Sequence, residues 1–70
     1  MIKGKILIEE EENQAFRNFY FNENSCDGCY IIDEELMGVI LNGQEYILEY
    51  NNSIFEMLKN VMQLKTLNLN

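Results

Sequence analysis

M-G-V-I-L-N-G-Q-E-Y-I-L-E-Y-N-N-S-I-F-E, residues 37–56, holds the signals that set the fold. Asn42-Gly43 separates two apolar runs. Both residues tolerate the positive φ that a type I′ hairpin turn requires at its two central positions. Beyond the turn, Tyr46, Leu48 and Tyr50 alternate with Glu45, Ile47 and Glu49, the period of a strand with one apolar face. Ser53-Ile54-Phe55-Glu56 then reads as a capping box: a hydroxyl at the helix entry and a carboxylate three residues on can satisfy two orphan amides. Ile54, Leu58, Val61 and Met62 recur at helical spacing and form one stripe, with Glu56, Lys59, Asn60 and Gln63 opposite. Lys59 and Lys65 lie toward the C-terminal end, where the helix dipole favours cations. Leu64 and Leu67 extend the apolar side, and the tail 67–70 is expected to fray. A hairpin running into a helix that covers it is therefore predicted.

The upstream residues add strands to that unit. Ile2, Gly4, Ile6 and Ile8 alternate with Lys3, Lys5, Leu7 and Glu9, which predicts a strand over 2–8. Four carboxylates in a row, Glu9, Glu10, Glu11 and Glu12, disfavour a packed ladder and predict a solvated turn. Ala15–Phe21 is rich in aromatics and suits a strand, although Ala15, Phe16, Phe19 and Tyr20 also fall at helical spacing. The strand reading is preferred, because a hairpin with residues 2–8 gives the aromatics a surface to cover. Asn22–Gly28 has the composition of a loop. Cys29–Ile32 is a short apolar run, Asp33-Glu34-Glu35 interrupts it, and Leu36–Leu41 resumes it with Gly38 as a candidate bulge. The expected fold is a single small α+β domain over residues 1–70: an antiparallel sheet of four to five strands with one C-terminal helix packed on a face.

Composition narrows the function. Seventy residues allow only a small core, supplemented by a partner or by self-association. Twelve acidic residues against five basic ones give a net charge of −7. Such a field repels nucleic acid and anionic lipid and attracts basic proteins, including those whose own ligand is a nucleic acid. No run approaches the length of a membrane span, and only three apolar residues, Ile6–Ile8, precede the first acids, too short for a signal-peptide core. The chain reads as cytoplasmic, where thiols stay reduced.

Catalysis is not expected. There is no histidine to work near neutral pH, no glycine-rich phosphate loop and no nucleophile motif. Cys26-Asp27-Gly28-Cys29 admits three readings. It is a turn bordered by two thiols; or half of a metal site, completed by a second copy or by acids such as Asp27 and Asp33; or a redox pair, although a strand follows it rather than the helix such a pair needs. The turn reading is preferred, which leaves Cys26 and Cys29 as weak metal candidates and no cofactor expected.

The acids fall into clusters: Glu9–Glu12; Glu23 and Asp27 with Asp33, Glu34 and Glu35; and Glu45 with Glu49. Four residues apart on a strand, Glu45 and Glu49 share a face about 13 Å apart. Carboxylates displayed on a rigid sheet imitate a phosphate backbone, whose charges recur every ~3.4 Å along a strand. Glu9–Glu12, Asp33–Glu35, Glu45 and Glu49 are therefore the candidate partner-binding residues. A structural or regulatory homodimer, with or without metal at the C-x-x-C, is the alternative.

The segment N-G-Q-E-Y-I-L-E-Y-N-N-S-I-F-E (Asn42–Glu56) also resembles the hairpin-to-helix segment of small acidic anti-CRISPR proteins that block Cas9. The shared pattern is a Gly followed by x-Glu-Tyr, two aliphatics, Asn-x-Ser-Ile or a close variant, and a Glu opening a helix. It spans about a fifth of the chain. That family begins with a helix where this chain begins with a strand, so no contact residue is carried over. The resemblance implies a class: acidic inhibitors from phages or mobile elements that occupy nucleic-acid grooves inside a host bacterium.

Overall fold

The computed structural model describes the backbone of residues 1–67 and the side chains of residues 1–65. Five antiparallel strands are followed by one helix: β1 (Ile2–Glu10), β2 (Asn13–Phe21), β3 (Cys26–Ile31), β4 (Leu36–Leu41), β5 (Gln44–Glu49) and α1 (Asn52–Leu67). The sheet order is β2-β1-β5-β4-β3, so β5 is central and β2 and β3 are the edges. This is the α+β architecture expected, with five strands.

The Asn-Gly turn forms as anticipated. Asn42 has φ 52° and Gly43 φ 84°, and β4 pairs with β5 without a break from Leu36–Glu49 to Leu41–Gln44. Met37, Val39, Leu41 and Leu48 point into the core against Ile54, Phe55 and Leu58 of α1. Residues 13–21 are strand throughout, pairing with β1 from Ile2–Phe21 to Glu10–Asn13, because the aromatics at 19 and 21 gain a buried face only as part of that ribbon.

Several local expectations are corrected. The Glu9–Glu12 turn is shorter than expected: Glu9 and Glu10 complete β1, and only Glu11-Glu12 turn. Exposure of these carboxylates on a two-stranded ribbon keeps them hydrated, so the repulsion does not break the ladder. The 22–28 segment is not all loop. Glu23–Ser25 make one 3-10 turn, opened by the Asn22 side chain, and Cys26–Gly28 already belong to β3. Gly38 is not a bulge. It pairs regularly with Tyr30 and Ile47, and it is small because the Tyr30 ring lies where its side chain would be. The bulge sits instead between Cys26 and Gly28.

The helix starts earlier than the Ser53 capping box predicts. The Asn51 side chain accepts the Ile54 amide at 3.0 Å, and the Asn51 carbonyl accepts the Phe55 amide at 2.9 Å. Asn51 is thus the cap, and Glu56 turns outward to Lys59, 3.6 Å away. The earlier start lets Phe55 as well as Ile54 reach the core, and Asn is at least as good a cap as Ser. Leu64 does not extend the apolar face; it is exposed. The side chain of Leu67 and the tail beyond it lie outside the described residues. Replacing Asn51 by Ala is expected to lower stability by about 1 kcal/mol, and Ser53→Ala by a few tenths, both read by urea denaturation. Equal effects would return the cap to Ser53.

Candidate functional site

The β1–β2 ribbon outruns the rest of the sheet. β1 meets β5 at one register pair, Ile6–Leu48, and beyond it the ribbon pairs only with itself. Every residue from Glu9 to Gln14 is exposed. The molecule is elongated, 47 × 22 × 18 Å, and its radius of gyration of 12.6 Å exceeds the about 11 Å of a compact chain this long.

The ribbon sorts its four glutamates. Glu10 lies opposite Asn13, on the same side as Arg17, and Arg17 Nη2 donates to both its oxygens at 2.7 and 2.8 Å. Both side chains are half-exposed, so the pair contributes at most about 1 kcal/mol. It also withdraws Glu10 from the free charge. Glu9, Glu11 and Glu12 have no hydrogen-bond or ion-pair partner among the described residues, and they surround an open depression with Asn13 and Gln14. Glu11 has φ 55°, the left-handed region that Gly or Asn enters more cheaply. The backbone of this turn does not ask for a glutamate.

The remaining predicted acids belong to the other hairpins, and the fold does not string them into one row with the tip. Asp33 is occupied structurally: Oδ1 accepts the amides of Glu35 at 2.8 Å and Leu36 at 2.9 Å, closing the β3–β4 turn. Glu34 and Glu35 stay exposed on that turn. The Glu45 carboxylate beside the Tyr30 hydroxyl holds that phenol above its ordinary range. Glu49 borders a depression with Lys3 and Lys5, so its field is partly offset. Asp27 receives the Gly43 amide at 2.9 Å and braces the bulge against the β4–β5 turn.

The C-D-G-C segment is a strand with a bulge rather than a turn between two thiols. In a regular strand, residues 26 and 29 would face opposite sides. The bulge at Asp27 restores parity: Cys26 lies opposite Leu41 and Cys29 opposite Val39, two residues of β4 on the core side. Both thiols therefore sit beneath α1. Burial pushes the Cys26 thiol above its ordinary pKa, and it donates to the Gly28 carbonyl at 3.3 Å. Cys29 is also raised, first by burial and then by its neighbour Cys26. Cys26 has no exposed surface, which works against a metal shared with a second copy. Among the described residues no group of three or more Cys, Asp or Glu is placed to hold one ion.

The sequence places Lys65 at the dipole end of α1 but gives no sign of its tertiary contact. Its ammonium donates to the carbonyls of Asn24 and Cys26, the latter at 2.9 Å, and ties the end of α1 to the entrance of β3. The long sequence separation left no local signal for this contact. No helix of the described residues is long and apolar enough to cross a membrane. No family model matches the chain, and no curated protein or solved structure matches it.

Proposed function

We propose that this protein is a non-enzymatic acidic binding module that inhibits a basic, nucleic-acid-handling protein by placing its β1–β2 tip in that protein's groove. The observation that carries the reading is the tip itself: Glu9, Glu11 and Glu12 are exposed and unpartnered among the described residues, on a ribbon that outruns the sheet. A narrow rod ending in carboxylates suits a groove built for a phosphate backbone. Glu34, Glu35, Glu45 and Glu49 add to the field along the body of the sheet. The resemblance of Asn42–Glu56 to anti-CRISPR inhibitors names the first partner to test, a Cas9-type effector met in the cytoplasm of a host bacterium.

The test measures DNA cleavage by such an effector, and its binding to this protein, at low and high salt. Wild-type protein is expected to inhibit, with affinity falling steeply as salt rises. The triple change Glu9→Gln, Glu11→Gln and Glu12→Gln is expected to weaken binding by about 10- to 100-fold, at about 0.5–1 kcal/mol for each exposed charge contact. Affinity indifferent to salt and to the triple change would defeat the groove reading. If the effector is not bound, the same comparison applies to whatever basic protein is retained from a bacterial cytosol.

A further inference from the structure

The two edges of the sheet are protected unequally. An edge strand presents unpaired N–H and C=O groups, and proteins shield such edges with charge, polar side chains or bulges. β2 carries Asn13, Gln14, Arg17 and Asn18 along its length. β3 has its bulge at the start, between Cys26 and Gly28, and nothing comparable after it. The three residues that follow Cys29 are apolar and exposed: Tyr30 at 39%, Ile31 at 55% and Ile32 at 43%. The Ile32 amide donates to the Leu36 carbonyl at 3.0 Å. Alternation along an antiparallel ladder then turns the backbone groups of Tyr30 toward β4 and those of Cys29 and Ile31 outward. No other partner takes them among the described residues.

Charge says what kind of strand fits there. Asp27 precedes the open stretch, and Asp33, Glu34 and Glu35 follow it, with no Lys or Arg between residues 23 and 35. The nearest cations are engaged: Lys65 with the carbonyls of Asn24 and Cys26, Lys59 with Glu56. A second copy added antiparallel would bring Asp27 against the partner copy's acidic turn, and one added parallel would set each cluster against itself. Both are repulsive. We propose that the β3 edge from Cys29 to Ile32 accepts an extended segment of a partner protein as an added strand, apolar in the middle and bearing Lys or Arg at both ends. Main-chain bonds to Cys29 and Ile31 give the affinity, and the flanking carboxylates give the selectivity. This surface is separate from the Glu9–Glu12 tip, and neither proposal depends on the other.

The test follows amide hydrogen exchange of the full chain by NMR with the peptide Lys-Lys-Val-Thr-Val-Thr-Val-Lys-Lys, and with its counterpart carrying Glu at the four flanking positions. The basic peptide is expected to slow exchange at Cys29 and Ile31 by about tenfold at saturation and to leave β2 unchanged, while the acidic peptide does nothing. Ile31→Pro removes an outward donor without touching the ladder to β4, and should abolish the effect. If that variant does not fold, the pair Glu34→Lys and Glu35→Lys decides, because it should weaken the basic peptide. An equal response to both peptides, protection on β2 instead, no response at all, or protection that grows with protein concentration alone would each overturn the proposal, the last by assigning the edge to a second copy.

Discussion

Replacing Leu48 by Ala is expected to lower the unfolding free energy by about 3 kcal/mol and the melting temperature by about 15–20 °C. Leu48 is fully buried on the central strand, with Ile6 on one side and Met37 on the other. Its Cδ1 approaches to 3.6 Å of where a side chain on Gly4 would begin. The lost methyls leave a cavity at the junction of β1, β5 and α1, which no neighbour can fill without moving a strand. A chain of this length has about 4–10 kcal/mol in total, so the variant sits near the edge of folding. Ile47, one residue earlier on the uncovered side, should cost about 1 kcal/mol when changed to Ala, since it is only half-buried. Urea denaturation of the two variants checks both the magnitude and the face. Similar losses would mean that the sheet is covered on the other side.

The second large effect falls on Phe21. Phe21→Ala should cost about 3 kcal/mol. Its distinguishing mark is where the loss appears. β1 meets β5 at one register pair, so the docking of the ribbon rests on side chains: Ile2 and Phe21, both buried, and Phe19 between Phe21 and Tyr46 at centroid distances of 5.7 and 5.2 Å. Without the Phe21 ring, amides of β1 and β2 should lose exchange protection before those of β4 and β5. A uniform loss would show that the ribbon and the β3–β5 unit open together. The variant also separates charge from geometry at the tip. It keeps every carboxylate, so any fall in partner affinity reports the aim of the ribbon rather than its field.

Much of the candidate surface is readable from the sequence as charge, but its working part is not. Glu9–Glu12 stand out as a run, yet their roles diverge because a strand alternates faces. Glu10 shares a side with Arg17, seven residues on, only because β1 and β2 pair with Glu10 opposite Asn13. Asp33 looks equivalent to Glu34 and Glu35, but its short side chain reaches back to the turn amides and theirs do not. The unprotected stretch of β3 is visible as three apolar residues; that it is an edge is not.

The sequence alone determined the elements whose causes are local. Asn42-Gly43 accepts positive φ at both residues, Tyr46 and Leu48 alternate with acids, and Ile54, Leu58 and Met62 recur at the helical period. Each signal is confined to a few neighbouring residues, so it survives without the rest of the chain. Only the tertiary structure decided what depends on residues far apart: the order that leaves β3 on the outside and the bulge at Asp27. The bulge illustrates the reason. Its carboxylate is held by the amide of Gly43, sixteen positions away, and the shift it introduces places Cys26 and Cys29 together under a helix. Pairing between distant strands decides such a shift, and no window of the chain contains both partners.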